Sequence, residues 1–258
     1  MIRRLVLCEG PEDIAAVRAL ADGHFGWDSS NEGASPEKRF LSVGEERAYN
    51  LVQSDVLTVE LRAVPGAKSA PLAAHFGDVL SNNFRDGQVE HVAVLFDPDT
   101  DTESAEFARL QEVIDAKRGE WQVARQQTQA HVAQWSFERR PSDRVTVHAI
   151  PWRCSGPLVD ALEDAQNLER LECEILTKAF PGLTSVVARW INEMRDAHGC
   201  QPTWKTAIHL WCALVEPKQS TATFAERVLH QQREWRAHAK DALSRTTLVD
   251  DLRPLLGR

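Results

Sequence analysis

Val92 to Phe96 is an unbroken apolar run rich in β-formers, and it stops abruptly at Asp97-Pro98-Asp99-Thr100-Asp101. A run without polar alternation suits a strand covered on both faces, as in a parallel sheet flanked by helices. A second such run, Leu5 to Cys8, stops at Glu9-Gly10-Pro11. Pro11 suits the first turn of a helix, and Ile14, Val17, Ala19 and Leu20 follow at helical spacing. Strand, tight turn and helix together open an α/β unit.

The remaining periodicities extend that pattern. Residues 24–38 read as a loop, 39–43 as a strand and 45–53 as a helical segment. Residues 56–62 read as a strand, at an edge or in an inserted hairpin; 64–69 is a turn and 70–84 a helix. A long, Gln-rich, mostly helical stretch is expected over 103–137, then a strand over 144–150 bounded by Pro151. Beyond Gly156 the pattern turns helical, over 157–180, 183–198, 204–215 and 221–243. The expected architecture is a Rossmann-like α/β core with a mostly parallel sheet over 1–153, followed by a helical region over 154–258 packed on that core.

With 258 residues, of which 43% are hydrophobic, the chain has enough apolar material for a real core. Its formal net charge of -8 gives no global attraction to nucleic acid, so such contact needs a local basic patch or bridging metal ions. Arg227, Arg233, Arg236, His238, Lys240 and Arg245 make a basic stretch near the C-terminus, suited either to a phosphate backbone or to solvent. The cysteines, Cys8, Cys154, Cys173, Cys200 and Cys212, are odd in number and form no C-x-x-C pair. That pattern points to a reducing cytosol rather than a disulfide framework or zinc ribbon. No apolar stretch approaches the roughly 20 residues of a membrane helix. The eight Trp residues sit mostly at helical spacings and suggest core packing; His24, His75 and His209 lack ligand spacing.

In an open parallel sheet, ligands sit at the carboxyl ends of the strands. Glu9 and Asp97 occupy such ends, and Asp99, two residues on, projects the same way as Asp97 if Pro98 keeps the segment extended. Carboxylates crowded together repel one another, and Mg²⁺, a hard ion that keeps several waters for a phosphate to replace, relieves that repulsion. A calcium loop is excluded, because it requires Gly at Thr102 and Glu at Ala108. A phosphatase of the haloacid-dehalogenase type, with D-x-D-x-T after an early strand, is a lesser alternative, since Asp101 stands in place of Thr and the motif lies deep in the chain. Asp13 and Asp101 suit either metal support or helix capping. Asp160, Glu163 and Asp164, with Asp160 and Asp164 on one helical face, suit either a second metal or solvent. Lys68 and Lys205 are candidate phosphate contacts.

Leu5-Val6-Leu7-Cys8-Glu9-Gly10-Pro11-Glu12-Asp13, with Leu20 further on, resembles the first Toprim motif, with Cys8 in place of the usual aliphatic residue. Val92 to Asp99 resembles the second, an apolar strand ending in Asp-x-Asp. The layout is similar to small stand-alone Toprim proteins that share features with OLD-type nucleases. There, a Gly-containing segment with acidic residues follows the last strand, as Gly156, Asp160, Glu163 and Asp164 do here, and a Lys-led helix near the C-terminus matches Lys205-Thr206-Ala207. The resemblance implies Mg²⁺ or Mn²⁺ held by Asp97 and Asp99. It implies Glu9 as general acid or base in phosphodiester cleavage of DNA or RNA. It also leaves room for a non-catalytic binding or regulatory module, and for a homodimer or partner protein. On this reading, Asp99→Ala abolishes metal-dependent cleavage of plasmid, single-stranded DNA or RNA while leaving thermal unfolding unchanged. Full activity in that variant contradicts it.

Overall fold

The computed structural model describes residues 2–27, 47–52, 57–63, 88–97, 103–117, 119–129, 132–140, 143–152, 162, 168–220, 224, 227–231 and 235–257. The described elements begin β1 (Ile2–Cys8), α1 (Pro11–Phe25), β2 (Arg47–Val52), β3 (Leu57–Ala63) and β4 (Gln88–Phe96). They continue with α2 (Glu103–Lys117), β5 (Gln122–Gln129), β6 (Val132–Arg140) and β7 (Asp143–Pro151). The helical part comprises α3 (Leu168–Ala179), α4 (Pro181–His198), α5 (Trp204–Val215), a π-helical turn (Arg227–Gln231), α6 (Arg236–Ser244), α7 (Leu248–Asp251) and α8 (Arg253–Leu256).

The strands form one sheet in the order β2-β3-β1-β4-β7-β6-β5. Its centre, β3-β1-β4-β7, is parallel throughout. β2 and β6 run against their neighbours and turn the two flanks antiparallel. The fold is therefore α/β with a helical C-terminal part.

Two-sided burial explains the unbroken apolar strands. Leu5, Leu7, Val92, Val94 and Phe96 point to one face and pack against Leu110 and Ile114 of α2. Val6, Cys8, Ala93 and Leu95 point to the other and join one core with Ile14 and Val17 of α1, Leu171 and Ile175 of α3, and Trp211 of α5. Each fully buried side chain of this size contributes about 1.5–3 kcal/mol of transfer free energy. The helical region thus packs directly on the sheet and shares its core. Its far end is tied back: Trp27 Nε1 donates to the Leu256 carbonyl at 2.7 Å, and Arg4 Nη1 to the Leu255 carbonyl at 2.7 Å. Among the described residues, no helix is long and apolar enough to cross a membrane.

Several sequence expectations need correction. The helical segment expected at 45–53 is the strand β2, antiparallel to β3. Of the two places expected for the strand over 56–62, the hairpin is the one found: β3 pairs antiparallel with β2 and lies between β2 and β1 rather than at the edge. The helix expected over 103–137 ends at Lys117, and two strands replace the rest. Gly119, at φ +57, makes the left-handed turn that releases the chain from the helix. Beyond it Ala133, Trp135 and Phe137 are buried while Gln134, Ser136 and Glu138 are partly exposed, a period-two pattern that the neighbouring glutamines obscured. Residues 24 and 25, expected in a loop, complete α1. The expected strand at 39–43 and helix at 70–84 lie outside the described residues.

One polar pair sits inside this sheet. His91 on β4 and His148 on β7 share a hydrogen bond, Nδ1 to Nε2 at 3.2 Å. Burial pushes the His148 imidazole down to about 4, with His91 adding a smaller effect. Burial first, then the nearby Arg4 charge, also lowers His91. An unfolded histidine titrates near 6.5. Between that pH and about 4, the unfolded chain therefore binds a proton on His148 that the folded chain does not. Stability falls as pH drops through this window, by up to about 3 kcal/mol. Urea unfolding at pH 7 and pH 4.5 measures the slope. His148→Gln is expected to flatten it relative to wild type, and an unaltered slope contradicts the assignment.

Candidate functional site

β1 and β4 are hydrogen-bonded parallel neighbours, in register from Leu5↔Val92 to Leu7↔Val94. Glu9 follows the end of β1 and Asp97 follows the end of β4. Adjacent strands lie about 4.8 Å apart. The sheet thus brings these two acidic positions, 88 apart in sequence, to neighbouring points on one carboxyl edge. Both residues are half-buried. Asp99 and Asp101 lie outside the described residues, as do Asp160, Glu163, Asp164 and Lys68.

What holds the two ends together is Trp152, which the sequence marks only as one of eight tryptophans suited to core packing. Its backbone N–H continues the sheet by donating to the Phe96 carbonyl at 3.0 Å, one residue before Asp97. Its indole Nε1 donates to Asp13 Oδ1 at 2.6 Å. The other Asp13 oxygen accepts from the Gly10 N–H at 2.7 Å, one residue after Glu9. One buried Trp–Asp contact therefore clamps the exits of β1, β4 and β7. Asp13 is buried with each carboxylate oxygen accepting a hydrogen bond from the protein, so its described role is to brace the Glu9-Gly10-Pro11 turn.

The surroundings are strongly acidic. Burial raises Asp13 to about 7, against the opposing pull of its two donors, with Glu12 and Glu169 adding smaller upward pushes. Glu172 on α3 is buried, and its Oε1 has no hydrogen-bond partner. Burial, then Glu169, Glu12 and Asp13, push its carboxyl well above the ordinary range. These acids come from α1 and α3, elements far apart in sequence, so no local motif announces them. Burial first, then Asp13 and Glu9, likewise raise the Cys8 thiol, which suits a core side chain and not a nucleophile at neutral pH.

The basic side of the edge also differs from expectation. Lys205 is exposed in the first turn of α5, on the helical region. Arg62 lies one residue from the end of β3, directly across from Leu7 of β1. Val59, Leu61 and Ala63 face the helical core, so Arg62 and Glu60 share the α2 side of the sheet. The Arg62 side chain is only 15% exposed, and its guanidinium is held by Glu60, Nη2 to Oε1 at 2.6 Å. It offers a positioned cation beside the acidic strand ends, which only the register of β3 on β1 reveals. The basic C-terminal stretch is partly neutralised within the fold: Arg245 pairs with Glu174 and Asp241, and Arg227 pairs with Glu216.

The donor chemistry at this edge is carboxylate oxygen, which suits Mg²⁺ or Mn²⁺ better than zinc. Among the described residues, no group of three His, Cys, Asp or Glu side chains is arranged to hold a metal ion. Glu9 and Asp97 provide two acidic positions, and Mg²⁺ is commonly held by one or two carboxylates with waters completing the shell.

No family model matches the chain, and no curated protein matches its sequence. Its fold is similar to the crystal structure of a hypothetical protein from Pyrococcus horikoshii OT3, with a TM-score of 0.57 and 17% identity. The likeness covers 99% of this chain and 98% of that one. At that identity it speaks to the fold alone.

The clamp has a direct test. Trp152→Phe keeps the ring in the core but removes the donor to a buried carboxylate oxygen, which is expected to cost about 1–3 kcal/mol. Urea denaturation measures the loss, and an unchanged midpoint would show that the indole bond contributes nothing.

Proposed function

We propose that this chain is a Mg²⁺- or Mn²⁺-dependent phosphodiester-processing protein, a nuclease acting on DNA or RNA at the carboxyl edge of its sheet. The observation that carries the reading is the adjacency of Glu9 and Asp97 at the ends of two parallel, hydrogen-bonded strands. The Toprim-like sequence motifs support it, as does the site's position where open α/β sheets bind ligands.

On this reading Asp97 and Asp99 hold the metal, with Glu9 beside them. When bound, such a metal polarises a phosphoryl oxygen and lowers the pKa of its water. Glu9 takes or returns the proton that moves as water attacks phosphorus and the ribose or deoxyribose oxygen leaves. Arg62 neutralises the charge that builds on the non-bridging oxygens, held in place by Glu60. Asp13 and Trp152 keep the Glu9 turn and the Asp97 exit at a fixed separation. Glu12 and Glu169 disfavour phosphate near this edge, so productive binding needs both Arg62 and the divalent ion. The free described cysteines suit work in a reducing cytoplasm.

Purified protein incubated with plasmid, single-stranded DNA and RNA should cleave at least one of them with Mn²⁺ or Mg²⁺ and none with EDTA. Glu9→Gln is expected to lower the rate on the order of 10²–10⁴-fold. Arg62→Ala should lower it roughly 10²-fold. Glu9→Gln should keep wild-type thermal unfolding, and circular dichroism should show Arg62→Ala folded at the assay temperature. Cleavage that survives Glu9→Gln overturns the assignment of Glu9. Nucleotide binding without cleavage of any substrate replaces the enzyme with a binding module.

A further inference from the structure

We infer that the outer edge of β5 is a self-association surface, which pairs antiparallel with β5 of a second copy of this chain about a twofold axis at Gln127. β5 is the last strand of the described sheet and bonds only to β6 on its inner side. Its pairing with β6 is irregular between Val123 and Arg125 and regular from Arg125↔Ser136 to Gln129↔Val132. Gln122, Ala124, Arg125, Gln126 and Thr128 are exposed, so side chains on both faces of the strand reach solvent.

An edge strand exposes a row of backbone N–H and C=O groups, and folded monomers usually guard such a row with Lys, Pro, inward charges or shortness. β5 is eight residues long and contains no Lys, Pro, Asp or Glu. Its defences are the irregularity near its start and the single charge of Arg125, which leave most of the regular half open.

A second copy fits that half through its chemistry. The chain as a whole carries -8, so two copies repel over most of their surfaces. The regular half of β5 is Arg-Gln-Gln-Thr-Gln, with no acid and one base. A perpendicular twofold between antiparallel strands requires one residue to face itself, because only then do opposed side chains share a face. Centring on Gln127 sets Gln126 against Thr128 of the second copy, a pair able to hydrogen-bond. It also sets Arg125 opposite position 129, which keeps the two arginines apart. The Gln127 amide already donates to Gln134 Oε1 at 2.7 Å, which fixes its orientation. Its second N–H and its carbonyl remain for its twin. A pairing this short buries less than the roughly 800 Å² per partner of a standard interface. The dimer is therefore concentration-dependent.

Sedimentation velocity on the full chain, from micromolar to sub-millimolar concentration, reads the association. The wild type should show a monomer–dimer equilibrium. Gln127→Lys and Gln127→Glu each place like charges face to face and should weaken dimerisation about tenfold or more. An equimolar mixture of the two should restore it, because opposite charges then meet at the axis. Circular dichroism of each variant confirms that it is folded. A wild type that stays monomeric throughout overturns the inference. So does a dimer that both variants leave intact, or a mixture no tighter than either variant alone.

Discussion

The hydrogen bond from the Trp152 indole to Asp13 joins parts of the chain 139 residues apart, and the geometry of the acidic edge depends on it. Through its backbone, Trp152 also fixes the last carbonyl of β4. Through Asp13, it fixes the N–H that follows Glu9. Neither bond is unusual by itself. Their effect comes from burial: a carboxylate removed from water keeps its place only where donors meet it, so the three strand exits adopt one arrangement. The same burial raises Asp13 to about 7, so this contact carries electrostatic strain as well as order.

Around that clamp the fold separates two tasks. The sheet interior is apolar on both faces, and helices on each side complete the two cores. The sheet's carboxyl edge gathers charge, with acids arriving from β1, α1, β4 and α3, and Arg62 from β3. A parallel arrangement is what makes this possible, since it points successive strand ends the same way. The antiparallel flank of β6 and β5 contributes nothing to that edge. It extends the sheet to a polar, nearly uncharged border, the edge at which we infer pairing with another copy.

Some of this was legible from local pattern. The doubly apolar β1 and β4, the proline-led α1 and the amphipathic α4 and α5 follow from periodicity and terminal residues. The failures share a cause. At 45–53 and beyond residue 117, side chains that tolerate a helix lie in strands because a neighbouring strand offers its ladder. Propensity alone does not register such an offer. In β6 the alternation of Ala133, Trp135 and Phe137 was present, but the glutamines of β5 set a helical expectation across it. Glu12, Glu169 and Glu172 show no sign of being a group in the sequence, because only packing brings α1 and α3 together.

That two apolar strands end in acids, and that a parallel sheet lies between helices, was already fixed in the linear order of residues. These are properties of side-chain period and of neighbours along the chain. Three other features arise from folding alone: β1 and β4 lie side by side, Asp13 turns inward to Trp152, and Arg62 stands across from Leu7. Each depends on strand order and register, which are set by contacts between distant segments competing for one core. A linear pattern names the groups that can meet, and the burial of the whole chain selects which of them do.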